Sequence, residues 1–375
     1  MILSFRVARA AAAVAAVLAS TALPTPALAD SIRDKQWYLS DLDIAQVHRI
    51  TEGAGVTVGL IDTGVNASQQ DLRGAVLAGT EVGPDASGDG RRDSDGHGTE
   101  MAGIIAGRGH SSKDGILGIA PEAKILPIGS PINTLATTDF MTDAVDFAIT
   151  RHVGVINMSF AFDGDETLHA AIRKAAAADI VLIAGAGNEG KSGEYPGRYP
   201  EVLAVGAYGR DGKIASFSIS GPQVGISAPG VDIVTTGNQG ADDYYEGQGT
   251  SEATAVVSGA AALLRAKYPD LSAAEIVHRL TATATDAGAK GRDDSYGYGR
   301  LNIVKALTAH VAPLPSAAVS SAAAGGAAPA PTSVADPEDL PTAKSPLLLV
   351  GIVVGLLVLG GLVVAVVVRG RRRAG

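Results

Sequence analysis

Between residues 56 and 310 the apolar positions of this chain switch between two rhythms, while at both ends they run on without interruption. Short, largely apolar runs rich in Val and Ile occupy 56–61, 123–128, 153–158, 180–184 and 202–205. A strand that is apolar on consecutive positions is covered on both faces, as strands of a parallel sheet are. Between these runs, 139–150 carries Phe140, Met141, Ala144, Val145, Phe147, Ala148 and Ile149 at helical spacing. The segments 100–107 and 167–178 read as helices as well. Strands alternating with helices predict an α/β fold, a mostly parallel sheet with helices on both faces. The segment 251–267 is small and aliphatic all round until Arg265, so it predicts a helix buried along its length. Ser272 and Glu275 have the spacing of a capping box for the next helix, and a last short one is expected to end near His310.

The two ends obey other rules. Residues 1–29 start with Arg6 and Arg9, continue through an Ala/Val/Leu stretch and close on Ala27-Leu28-Ala29, the layout of a secretory signal peptide. Residues 347–368 contain no charged or strongly polar side chain. About 20 apolar residues cross a bilayer, so 346–368 is expected to be a transmembrane helix. Arg369, Arg371, Arg372 and Arg373 follow at once, which assigns the tail 369–375 to the cytoplasm and the bulk of the chain to the outside. Residues 311–345 carry six prolines among Ala, Ser and Gly and no aromatic residue, so they read as a linker. Residues 30–55, polar with anchors such as Trp37, Tyr38 and Leu42, are expected to form an arm on the surface of the domain at 56–310. The expected location is the cell membrane, with a single span and the main domain extracellular.

Charge and composition narrow the function. Without the arginines of the two ends, 24 basic residues face 39 acidic ones. A net charge near −15 disfavours nucleic acid as a partner. The absence of cysteine excludes disulfides, thiol nucleophiles and thiolate-bound metals.

Three turns rich in Gly and Thr carry the candidate chemistry. Asp62 lies in Leu60-Ile61-Asp62-Thr63-Gly64, His97 in Asp95-Gly96-His97-Gly98-Thr99, and Ser251 in Gly249-Thr250-Ser251-Glu252. Alone, each is an ordinary turn or helix cap. Together they are the parts of a nucleophilic serine hydrolase, in which a base takes the serine proton and a carboxylate orients the base. Ser251 opens the buried helix, where free backbone N–H groups and the positive end of the helix dipole assist it. Asn188, in the glycine-rich Ala184-Gly185-Ala186-Gly187-Asn188 after a strand, is the candidate side-chain donor to the oxyanion.

These segments resemble the subtilisin-type serine proteases, the subtilases, from about Val56 to His310. The chain order Asp, His, Ser is that of subtilisin. The resemblance implies a serine endopeptidase acting on protein or peptide substrates, with catalytic residues Asp62, His97, Ser251 and Asn188. It places Ser159, Phe160 and Ala161 along the substrate backbone and the S1 pocket, and Ala184, Gly185 and Ala186 on the opposite wall. It also implies a proline loop in Tyr195-Pro196-Gly197-Arg198-Tyr199-Pro200, with the cis bond at Tyr199–Pro200. The signal segment, linker, single span and basic tail are similar to the mycosins, the membrane-anchored subtilases of type VII secretion, which implies a secretion-system complex as partner. The alternative is a non-catalytic scaffold of the same fold docking to a membrane complex, against which the intact Asp, His, Ser and Asn argue.

Two segments depart from the family pattern. Glu252 and Ala255 stand where most subtilases have Met and Pro, and Glu100-Met101 follows His97-Gly98-Thr99 where a second His is frequent. A carboxylate beside the nucleophile is expected to favour a protonated His97 and to move the pH optimum upward. No cofactor is expected. The segment 81–95, with Asp85, Asp89, Asp93 and Asp95, has the composition of a calcium loop without EF-hand spacing, and a solvated loop flanking the cleft is the preferred reading. The remaining histidines are expected at the surface.

Overall fold

Among the described residues, runs that mostly contain Val or Ile build a sheet of seven parallel strands. These are β1 (Thr57–Asp62), β2 (Thr80–Glu81), β3 (Lys124–Gly129), β4 (Val155–Met158), β5 (Val181–Gly185), β6 (Leu203–Tyr208) and β7 (Val224–Pro229). Their order across the sheet is β2-β3-β1-β4-β5-β6-β7. The computed structural model describes residues 32–83, 86–111, 114–130, 138–189 and 195–315. The expected signal peptide, transmembrane helix, basic tail and most of the linker lie outside these residues, as does Asp85. Among the described residues no helix is long and apolar enough to cross a membrane.

Alternate residues of the strands feed two separate cores. Val181 and Ile183 of β5 point to one face, Leu182 and Ala184 to the other. The second face is covered by α4 (Thr138–Thr150) and α5 (Glu166–Ala177), the latter capped by Asp165, which accepts the Leu168 N–H at 2.9 Å. The first face holds α3 (His97–Ala106) and α6 (Thr250–Lys267). α6 is buried from Thr250 to Leu264 apart from Ser251, which is half-buried. Behind it, α7 (Ala273–Ala282) starts at the full Ser272/Glu275 capping box, and α8 (Ile303–Thr308) closes the domain.

Two regions differ from the sequence reading. The arm does not lie on the surface. It folds into α1 (Trp37–Asp41) and α2 (Ile44–Val47), and Tyr38, Leu42, Ile44 and Val47 belong to the first core. Its polar groups are tied down as well. Gln36 exchanges 3.0 Å bonds with both backbone groups of Leu117, the Trp37 indole N–H donates to the carbonyls of Val231 and Asp232, and the Tyr38 hydroxyl donates to Val234 at 3.1 Å. The other difference is the stretch 224–247, which adds β7 to the sheet and then forms an antiparallel hairpin, β8 (Ile233–Thr236) and β9 (Tyr244–Gly247), leading directly into α6.

The order of the strands locates a crevice. β1 pairs with β3 on one side and β4 on the other, so the chain changes direction across the sheet there. Ligands of open α/β sheets bind beyond the carboxyl ends of strands at such a point. Asp62 is the last residue of β1 and Ser159 follows β4. Tyr38→Ala is expected to lower stability by about 3–5 kcal/mol through the cavity it leaves, and Tyr38→Phe by about 1 kcal/mol. Denaturant unfolding checks both; equal small losses would mean that the arm is not part of the core.

Candidate active site

Asp62 is 1% exposed, and its Oδ1 accepts two hydrogen bonds, from the Thr63 N–H at 2.8 Å and from His97 Nδ1 at 2.7 Å. A carboxylate only accepts, so the proton of this bond sits on Nδ1, and the neutral ring keeps its lone pair on Nε2. Asp62 Oδ2 is buried without a hydrogen-bond partner among the described residues. His97 is the first residue of α3, not a loop residue ahead of it. Gly98 follows because the two turns meet back to back: a Cβ there would come within 2.0 Å of the Gly64 carbonyl oxygen and 3.2 Å of Asp62 Cβ.

Ser251 is the second residue of α6, and its hydroxyl donates to the Ser159 carbonyl at 3.0 Å. Among the described residues no hydrogen bond joins it to His97 in this state. The Ser159 hydroxyl in turn donates to the Ser251 carbonyl at 3.1 Å and accepts from Asn157 Nδ2 at 2.9 Å, while Ser258 donates to Asn157 Oδ1 at 2.9 Å. Asn157, Ser159 and Ser258 are all buried. This polar chain fixes how α6 sits on the end of β4, because slippage would leave buried donors and acceptors unpaired.

Asn188 follows β5, and its Oδ1 accepts from the Thr250 N–H at 3.0 Å and the Thr250 hydroxyl at 3.2 Å. With the oxygen occupied, the amide N–H₂ faces the other way. It lies beside Gly249, where a Cβ would stand 3.4 Å from Nδ2. A donor is thus held next to the turn that carries Ser251.

The substrate residues named from the sequence separate into two groups. Phe160 and Ala161 are partly exposed beyond β4, the Phe160 ring 5.9 Å from that of Phe162. Ala184, Gly185 and Ala186 are buried at the end of β5, and the Ser159 side chain is committed to α6. The cis bond of the proline loop is at Tyr195–Pro196 and not at Tyr199–Pro200. Tyr195 is bonded through both backbone groups to Phe162, and the chain turns immediately after it. Among the other histidines, His110 meets Asp71 at 2.8 Å and His169 meets Glu201 at 3.0 Å while stacking on Tyr199. Among the described residues no group of three or more His, Asp or Glu side chains stands where it could hold a metal ion.

The electrostatics of the site are acidic. Burial alone would push the His97 imidazolium toward losing its proton. The charge and hydrogen bond of Asp62, with the charges of Glu252 and Glu100, outweigh it and raise His97 to about 9. Burial, reinforced by the Glu252, Asp62 and Asp93 charges, lifts Glu100 to about 7 although His97 opposes it. Glu252 is 5% exposed, and its carboxylate reaches the backbone of Gly247 and Gly249, at both of which a Cβ would come within 3 Å of it.

A family model described as the subtilase family, Peptidase S8, matches residues 53–299. The chain belongs to the subtilases. This subtilase is 37% identical to Mycosin-1 of Mycobacterium tuberculosis, over 79% of its own length and 78% of that protein. It is 38% identical to Subtilisin DY of Bacillus licheniformis, over 66% and 89% respectively. Among solved structures it superposes with a TM-score of 0.66 and 34% identity on the serine protease MycP1, described as an essential component of the type VII (ESX-1) secretion system, covering 76% of this chain and 91% of that one. Like them it is a serine endopeptidase of the subtilisin fold.

A protonated His97 cannot accept the serine proton, so activity should rise with pH as His97 loses its proton, toward about 9. Glu252→Met removes a charge that favours the imidazolium and should move the acid limb of kcat/KM to lower pH. A limb unchanged in that variant would contradict the assignment.

Proposed function

We propose that this subtilase is an exported, membrane-tethered endopeptidase in which Ser251 attacks the substrate carbonyl and forms an acyl-enzyme. The observation that carries the roles is the 2.7 Å bond from His97 Nδ1 to Asp62, which leaves Nε2 as the acceptor for the serine proton. Ser251 turns from the Ser159 carbonyl to His97 Nε2, transfers its proton as the C–O bond forms, and leaves a negative carbonyl oxygen. Asn188 Nδ2 and the Ser251 N–H at the start of α6 receive that oxygen. His97 then returns the proton to the leaving amine, and water hydrolyses the ester by the same steps. Phe160 and Ala161 line the substrate side of the crevice, with Ala184, Gly185 and Ala186 forming the floor at the end of β5.

The tether is read from the apolar segment 346–368 and the arginines after it, with the linker 311–345 between domain and bilayer. The export signal is read from 1–29. Fully stretched, a 35-residue linker spans roughly 115 Å, so the domain is held near the membrane without being pressed on it. The likeness to a serine protease described as a component of type VII secretion supports proteins exported through such a system as substrates, and the secretion complex itself as partner.

A fluorophosphonate probe should label the wild-type protein on Ser251 and leave Ser251→Ala unlabelled. Asn188→Ala should lower kcat by roughly 10²–10³-fold with KM little changed, the loss that removing one such donor produces in subtilisin. A folded wild-type protein that stays unlabelled would instead point to the non-catalytic scaffold. Comparing proteins in the culture fluid of wild-type and Ser251→Ala cells would identify the substrates.

A further inference from the structure

The acidic segment before His97 contains a half-buried carboxylate that is fully taken up by donors of the protein itself. Asp93 Oδ1 accepts from the Thr63 hydroxyl at 2.9 Å, the Asp95 N–H at 3.0 Å and the Gly96 N–H at 2.9 Å. Its Oδ2 accepts from the Thr99 N–H at 2.9 Å and the Thr99 hydroxyl at 2.6 Å. A carboxylate offers about four lone-pair positions, and five protein donors occupy them. The backbone carbonyl of Asp93 is held too, by Asn238 Nδ2 at 2.8 Å.

These bonds converge on the two catalytic turns. The Thr63 hydroxyl that donates to Asp93 also accepts the Gly98 N–H at 2.9 Å, so it links the residue after Asp62 to the residue after His97. Thr99, two residues past His97, passes the connection on by accepting the Asn66 N–H at 2.9 Å. The first three N–H groups of α3 are all met by side chains: His97 by Asp95 at 3.3 Å, Gly98 by Thr63 and Thr99 by Asp93. Orphan donors at a helix start are ordinarily shared with water or one capping residue. Here they tie the start of the helix to the end of β1.

We propose that Asp93 and the Thr63 hydroxyl form a positioning bridge that holds His97 in line with Asp62, so that the catalytic pair is set by one fully hydrogen-bonded carboxylate belonging to neither residue. Asp62 and His97 are 35 positions apart in sequence and share one side-chain bond, and that bond alone does not fix the tilt of the ring. The bridge fixes the backbone on both sides of it. A displacement near 1 Å at a reacting group costs on the order of 100-fold in rate, so the bridge acts on the chemical step and not on substrate affinity. Through it the segment 81–95 has a purpose that its composition does not suggest: Asp93 is spent on the protein's own donors.

The inference rests on the proposed role of His97. Its test is Thr63→Val, which keeps the shape of the side chain and removes the hydroxyl, with Thr63→Ser as the conservative partner. Folding is monitored by circular dichroism and the unfolding midpoint, and activity by peptide hydrolysis and fluorophosphonate labelling across pH. Thr63→Val should lose roughly 10- to 100-fold in kcat with KM within about twofold, and Thr63→Ser should recover most of it. The acid limb should also fall in Thr63→Val, because a ring no longer held to Asp62 gives up its proton more readily. Where Thr63→Val does not fold, Asp93→Asn carries the same readouts, since its amide nitrogen cannot accept from Thr99. A folded Thr63→Val or Asp93→Asn with a lowered unfolding midpoint but unchanged kcat and acid limb overturns the bridge. A wild-type protein that does not label overturns the role of His97 and the bridge together.

Discussion

The bond between His97 and Asp62 is the interaction on which the rest of this molecule turns. Asp62 ends a strand buried on both faces, it is 1% exposed, and one of its oxygens has no partner among the described residues. A charge in that position is sustained only by the groups aimed at it. The Thr63 N–H and the imidazole N–H supply them, and the imidazole gains as much as it gives: its proton is fixed on Nδ1 and its basicity rises. The acidic neighbours Glu100 and Glu252 push in the same direction.

The fold serves that pair by rigidity. Strand order brings β1 and β4 together at the crevice, α3 starts at His97 itself, and α6 starts one residue before Ser251. Both helices pack into the same core with the small residues of α6 against the sheet, so neither can shift without opening a cavity. Polar groups set the register that apolar packing alone leaves loose. The Ser258–Asn157–Ser159 chain does so for α6, and the Asp93–Thr63 bridge does so for α3. The serine hydroxyl lies on the Ser159 carbonyl, and the proposed attack requires it to turn toward His97.

Most of the sheet was legible because buried parallel strands are written as apolar runs. The expected strands at 56–61, 123–128, 153–158, 180–184 and 202–205 agree with the observed ones to within a few residues, and the helices at 139–150, 167–178 and 251–267 agree as closely. The region 224–247 escaped, since Gly225, Ser227 and Thr235 interrupt its apolar pattern although β7 and β8 are buried. The arm escaped for a different reason: a polar segment with scattered anchors reads as surface, and only tertiary bonds such as Tyr38 to Val234 show that it completes the core. At the proposed site, the turns that carry Asp62, His97, Ser251 and Asn188 were visible in the sequence. Thr63, Asp93, Asn157 and Ser258 were not, because a hydroxyl or carboxylate that acts through hydrogen bonds leaves no spacing to recognise. The cis bond was misplaced by one proline of two in the same loop.

Nitrogen NMR of ¹⁵N-histidine-labelled protein reads the protonation of His97 directly. A titration of the Ser251→Ala protein, with His97→Gln to assign the resonance, follows both ring nitrogens. Nδ1 is expected to stay protonated throughout and Nε2 to lose its proton with a midpoint near 9. A midpoint at the ordinary histidine value near 6.5, or a neutral ring with its proton on Nε2, would contradict it.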